Sequence, residues 1–202
     1  TGEGWSMRVR LDEEALKTIA DLTRGEYFHA GNATDLQKLY QSLRSKILEV
    51  FWPSTKPAAS PNAFGFAQSQ ASVGDASYLL AEITPFGFNW RCDVLGNVQG
   101  FISNVLDVDR ARTAFKFMWG VGVNEPFPVA NLYPPVQAGD PDWRPYYIVN
   151  LLNLPGHYHN GGIWQFIGGM WVWLINRLGL YEVEYSELLK LVYLKKKKKN
   201  QE

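Results

Sequence analysis

The chain has 202 residues, 46% hydrophobic and 20% charged, with 20 basic and 20 acidic residues and a formal net charge of zero. That length fits one domain or one domain with an appendage, and that apolar share is enough for a core, which excludes global disorder. Zero net charge argues against a nucleic-acid binder working through a basic face, and the single cysteine, Cys92, excludes an internal disulfide framework or a cysteine-rich zinc site.

Two compositions meet in the chain. Residues 1–50 hold 15 charged residues, whereas residues 61–194 hold 18 in 134, together with six of the eight tryptophans and eight of the ten tyrosines. Between them, Pro53, Pro57 and Pro61 recur every four residues, a spacing that blocks both helix and central strand and marks a junction. The expected organisation is therefore a segment over 1–50, a linker over 51–74, a second region over 75–194 and a lysine-rich tail over 195–202.

In the first region a strand is expected at Met7–Leu11. Asp12 then caps a helix whose first turn carries Glu13 and Glu14 at the positive end of the dipole, with Leu16, Ile19 and Leu22 on its apolar side and Gly25 as terminator. Tyr27–Ala30 is a short strand candidate. A second helix starts near Thr34 or Asp35 and aligns Leu36, Leu39, Tyr40, Leu43 and Ile47 on one stripe. Arg8–Ala20 and Gly25–Phe28 resemble the C-terminal part of a von Willebrand factor A domain. The Asp-x-Ser-x-Ser metal motif of that family is absent, so its metal site is not carried over, and the segment is expected to be a packed appendage.

The second region reads as helices joined by long loops. Val94–Leu106 is expected to be helical, with Gly96 and Gly100 serving close packing since each costs about 1 kcal/mol against alanine. Asp107 caps a helix over Val108–Trp119. Six prolines between Pro126 and Pro145 make a long loop, and long ordered loops are usually functional. Tyr146–Leu154 fits helix or strand equally. Gly162–Leu178 is apolar nearly all round and shorter than the roughly 20 residues of a membrane span, so a buried helix is expected, with Trp171 and Trp173 in the core. A last helix covers Tyr181–Leu194, with Val183, Leu188, Leu189 and Val192 expected at core positions, and the five lysines that follow are expected to be a solvated tail. No basic-then-apolar secretion layout opens the chain, and the expected setting is cytoplasmic.

The run Tyr158-His159-Asn160-Gly161-Gly162-Ile163-Trp164 combines hydrogen-bonding groups, glycines and an indole face, a mixture suited to a hydroxylated ligand. His157 and His159 alone make too few ligands for a metal, so no metal and no cofactor are expected. Glycoside hydrolysis needs two carboxylates across the scissile bond, and Asp93 and Glu125 stand in the most suitable company for such work. Ile83–Asn97, Asn124-Glu125-Pro126 and Tyr158–Trp164 together resemble (α/α)₆-barrel glycoside hydrolases of the alkaline/neutral invertase and amylo-α-1,6-glucosidase (glycogen-debranching) type. The likeness covers residues 75–190. It implies a mainly α fold, a partial toroid preceded by the small α/β segment, and sugar-binding roles for Arg91, Asp93, Glu125, Tyr158, His159, Asn160 and Trp164.

Two departures qualify it. The acid and base carboxylates of the family lie outside the matched stretch, so no catalytic residue is carried over. Gln165 stands where relatives have proline. The expected function is an incomplete glycosidase that binds an α-glucoside or sucrose, with little hydrolysis of its own. The partner is a small carbohydrate, not nucleic acid or membrane, and exposed helix faces are expected to promote self-association. The alternative class is a non-enzymatic interaction module, or a fusion without independent function.

Overall fold

The computed structural model describes residues 12–23, 25–54, 73, 75–84 and 87–199. The protein is mainly helical with one small antiparallel sheet. It divides into two compact units between Leu43 and Arg44, within the second helix.

The first unit holds α1 (Glu13–Thr23) and the beginning of α2 (Ala33–Phe51). The Asp12 carboxylate accepts from Ala15 N at 3.0 Å and caps α1. Asn32 caps α2 by accepting from Asp35 N at 2.9 Å, so the helix begins one residue or two before the expected start. Neither helix buries a residue completely, and Leu16, Ile19 and Leu22 of α1 are exposed. Residues 25–30 carry no regular structure, so the strand expected at Tyr27–Ala30 is not formed. A four-residue apolar run becomes a strand only where a neighbouring edge accepts its ladder. The strand expected at Met7–Leu11 and most of the proline-spaced junction lie outside the described residues.

The second unit begins inside α2, whose last turns place Ile47, Leu48 and Phe51 against the core. Arg44 fixes this end by donating from Nε to the carbonyls of Asn104 and Val105 at 2.9 and 3.0 Å. Then come β1 (Leu80–Thr84) and β2 (Gly87–Asp93), antiparallel, with Leu80 opposite Cys92 and Thr84 opposite Gly87. The two-residue β3 (Leu132–Tyr133) pairs on the far side of β2, with Cys92 opposite Tyr133. The order is β1-β2-β3.

β2 runs straight into α3 (Val94–Ile102), which ends four residues earlier than its apolar pattern suggests. Ser103 caps it and Asn104 takes a positive φ of 60°, turning the chain towards Asp107. Asp107 accepts from Arg110 N at 2.9 Å and caps α4 (Val108–Gly120), as its sequence position predicts. Gly100 serves close packing: a Cβ there would stand 2.9 Å from Leu79 Cδ1. Asn97 is buried on α3 and staples it to the start of the sheet. Its Nδ2 donates to Leu79 O at 3.0 Å while its Oδ1 accepts from Leu79 N at 2.7 Å.

The proline-rich stretch that follows carries β3 and short 3-10 turns within Pro145–Leu151, broken at Val149 and Asn150 where the backbone leaves helical geometry, so Tyr146–Leu154 forms neither a regular α-helix nor a strand. The last layer is α5 (Gln165–Arg177) against α6 (Tyr181–Lys199). α6 continues through Lys199, so lysines 195–199 extend a helix. Asn176 bonds Glu184 at 2.8 Å and Trp171 bonds Glu187 at 3.3 Å, which sets the two helices antiparallel. The core joins Val94, Val98 and Phe101 of α3, Ala114 and Met118 of α4, and Ile167, Trp171 and Ile175 of α5. Each fully buried large aliphatic side chain there contributes about 1.5–3 kcal/mol.

α5 is not buried all round. Trp171 is wholly inside, but Phe166 and Trp173 are 53% and 48% exposed. An apolar circumference predicts burial only if a neighbour exists on every side. Among the described residues no helix is long and apolar enough to cross a membrane.

Candidate functional site

Backbone bonds bring the two distant sequence motifs together. Val94 N donates to Asn131 O at 3.0 Å, and Asn131 N donates to Gly162 O at 3.0 Å. Ala130 and Ile163 form an isolated antiparallel bridge. The end of β2 and the 157–164 turn are thereby laid on either side of residues 130–132. Asp93, His159 and Trp164 line one cleft of about 300 Å³, with Leu95, Asn131 and Ile167.

Asp93 ends β2 and caps α3, accepting from Gly96 N at 3.1 Å. Burial pushes its carboxyl above the ordinary carboxylate range, and the amides of Gly96 and Leu95 oppose that shift. A carboxyl raised in the folded state stabilises the fold below its unfolded value and loses that contribution as the pH rises through the folded one. Asp93→Asn keeps a good cap and has no charge to desolvate. It is expected to be more stable than the parent near neutral pH and to lose part of the pH dependence of thermal unfolding on the acid side. An unchanged pH profile would show that this carboxyl is as well solvated folded as unfolded.

The 157–164 turn is built by its own hydrogen bonds. Asn160 N donates to His157 O, and Gly156 N to Asn160 O, both at 2.8 Å. Tyr158 takes a positive φ of 43°, and Trp164 Nε1 holds its carbonyl at 3.0 Å. A Cβ on Gly162 would stand 2.3 Å from Tyr158 O and 2.5 Å from Tyr158 N, so no other residue fits this turn without backbone movement. The turn stacks its aromatics: the rings of His159 and Trp164 lie 5.9 Å apart and 17° from parallel, and Tyr158 sits 3.9 Å from His159. Tyr158 and Trp164 also border a shallow groove of about 470 Å³ with Leu152, His157 and Ile163.

The other expected site residues lie elsewhere or underneath. Asn160 is buried, and its amide is engaged by backbone: Nδ2 donates to Val136 O at 2.8 Å and Asn153 O at 3.0 Å, and Oδ1 accepts from Val136 N at 2.6 Å. It holds the turn to the loop in front of it. Arg91 is buried too. Its guanidinium donates to Asp140 at 2.7 Å and Asp142 at 2.5 Å and so pins the Gly-Asp-Pro-Asp turn on the sheet, with Asn89 as a further acceptor. Both have the geometry of positioning residues. Glu125 is not on the cleft lining: it is exposed and accepts from Lys190 at 3.0 Å.

Two features carry no local signal in the sequence. Asn131 lines the cleft and carries a buried Oδ1 that accepts no hydrogen bond among the described residues. Glu82, Asn89, Asp142, Arg144, Tyr146 and Tyr147 line a second, polar cleft of about 420 Å³. Glu82 and Asp142 are two carboxylates on that lining, and Asp142 is committed to Arg91. Among the described residues no three His, Cys, Asp or Glu side chains gather in a way that could hold a metal ion. No protein-family model matches the chain, and no curated protein matches it.

Proposed function

We propose that residues 75–194 are part of an (α/α)₆-type glycoside-hydrolase region and bind an α-glucoside or sucrose in the Asp93–His159–Trp164 cleft. The observation that carries this reading is the meeting, in one cleft, of a half-buried carboxylate with an imidazole and an indole from a turn about 65 residues downstream. Each has a use on a sugar. The carboxylate accepts from hydroxyls, the imidazole donates or accepts, and the indole face stacks on the ring's C–H side. The unpaired Asn131 Oδ1 supports the same chemistry, because a buried acceptor without a partner gains most from a ligand hydroxyl.

Among the described residues the Asp93 cleft has one carboxylate on its lining, and hydrolysis needs two. The protein therefore binds sugar with little turnover. A cytoplasmic setting accords with Cys92, a buried free thiol. The first unit is an appendage to this region in the same reading.

Titration with sucrose, maltose and isomaltose, followed by tryptophan fluorescence and calorimetry, tests the proposal. One of them is expected to shift the emission, and Trp164→Ala to remove the response with the fold intact by circular dichroism. Heat of binding in the parent for none of the three would sink it. Clear hydrolysis of the bound sugar, lost in Glu82→Gln, would instead make the polar cleft catalytic.

A further inference from the structure

The outward side of α6 is built like the seam of a coiled coil. A surface helix ordinarily turns charged and polar residues to water. α6 turns one apolar stripe inward, with Val183 packed on the core, and a second outward. Tyr181, Tyr185, Leu188 and Val192 follow one another at intervals of four, three and four residues, the a/d rhythm of a heptad. Their exposures are 67, 64, 43 and 48%, and Leu189 beside them is 38% exposed. Four consecutive seam positions filled by aromatic and aliphatic side chains and left open to solvent form a contiguous patch of the kind that marks an interaction surface.

Charge along the helix says what fits it. Glu182 and Glu184 stand in the first turn, and the helix finishes in lysines 195–199. A second copy of α6 laid parallel would set lysine run against lysine run. Laid antiparallel and centred between Leu188 and Leu189, it would set Glu182 of each copy level with Lys195 of the other. That arrangement is two-fold symmetric, so the same patch serves on both partners.

We propose that the chain self-associates as an antiparallel dimer through the outer face of α6, with Tyr185, Leu188 and Val192 at its centre. Opposite charge at the two ends selects the antiparallel register over the parallel one. The pairing rests on α6 alone and does not depend on sugar binding.

The full-length chain in sedimentation equilibrium is expected to move, with rising concentration, from its 23.0 kDa mass to twice that value. Leu188→Glu is expected to hold it at the monomer mass. Tyr185→Glu, at a more exposed position, is expected to do the same and serves where Leu188→Glu disturbs the fold. A monomer at every concentration overturns the proposal. So does a dimer unaffected by Tyr185→Glu, which would move the interface to another surface such as the exposed side of α1. Because Cys92 is buried, introduced thiols report orientation. Mixed Glu182→Cys and Lys195→Cys proteins are expected to give the hetero-disulfide on mild oxidation, whereas homo-disulfides alone would overturn the antiparallel register.

Discussion

Replacing Glu187 with alanine is expected to lower the free energy of unfolding by about 3–5 kcal/mol, the range for breaking a buried charged network. The midpoint of urea denaturation reads the change, with the slope unaltered if the unfolded state is the same. Glu187 has no solvent-exposed surface. Its Oε1 accepts from Asn124 at 3.1 Å and Lys190 at 2.7 Å, and its Oε2 accepts from Trp171 at 3.3 Å. One carboxylate thus joins α6, α5 and the turn after α4. Truncation leaves the Trp171 and Asn124 donors buried without acceptors, at about 1–3 kcal/mol each, and opens a cavity besides. Lys190 loses less, since it is partly exposed and keeps Glu125. Glu187→Gln keeps the volume and one acceptor, so it is expected to cost about 1–3 kcal/mol. A loss under about 1 kcal/mol in the alanine variant would mean that α6 is held by its apolar contacts alone.

Glu187 has a signal in the sequence. It stands four residues after Val183 and four before Leu191, and it turns inward with Val183, whereas Leu188, Leu189 and Val192, expected at core positions, are exposed. A charged residue in an apolar register either breaks the pattern or marks a buried polar junction, and the second applies. The sheet has a signal as well. Phe88-Asn89-Trp90-Arg91-Cys92-Asp93 alternates apolar and polar residues, the period of a strand. Alternation alone nevertheless misplaces two side chains, because Trp90 is 44% exposed and Arg91 is 2% exposed. Arg91 is covered by Asp140 and Asp142, about fifty positions downstream, and no local pattern encodes that pairing.

The helices are legible because capping and periodicity are local. Asp12, Asp107 and the acidic first turn of α1 mark starts that the structure keeps, whereas Asp93, read from sequence as a site carboxylate, also caps α3. Their ends are less so, as at α3, where the apolar pattern runs past a turn made by Asn104. Burial is legible only in part. Trp171 and Trp173 have the same chemistry two residues apart, yet one is in the core and the other faces solvent. The site divides along the same line. Residue type groups Asp93, His159 and Trp164, which the fold does gather on one cleft. It does not separate them from Arg91 and Asn160, whose terminal guanidinium nitrogens and side-chain amide are engaged by partners brought in by tertiary structure.

Gly162→Ala is the sharpest test of the turn that presents His159 and Trp164. The added methyl would meet Tyr158 O at 2.3 Å and Tyr158 N at 2.5 Å, and His157 C at 2.9 Å. All three are backbone atoms, so no rotamer change relieves the overlap. Residues 157–162 must open, which endangers the bonds from Asn131 N to Gly162 O and from Trp164 Nε1 to Tyr158 O. The expected loss of stability is about 3 kcal/mol, at the upper end for an overpacked site. Near-ultraviolet circular dichroism should change with it, because the Tyr158–His159–Trp164 stack is dispersed. Gly169→Ala supplies the opposite sign. Gly169 lies within α5 and has open space where the methyl would stand, so alanine there is expected to stabilise by about 0.5–1 kcal/mol through helix propensity. If the two variants unfold at the same temperature, the tight turn at Tyr158–Gly162 is not what holds the cleft's aromatic wall.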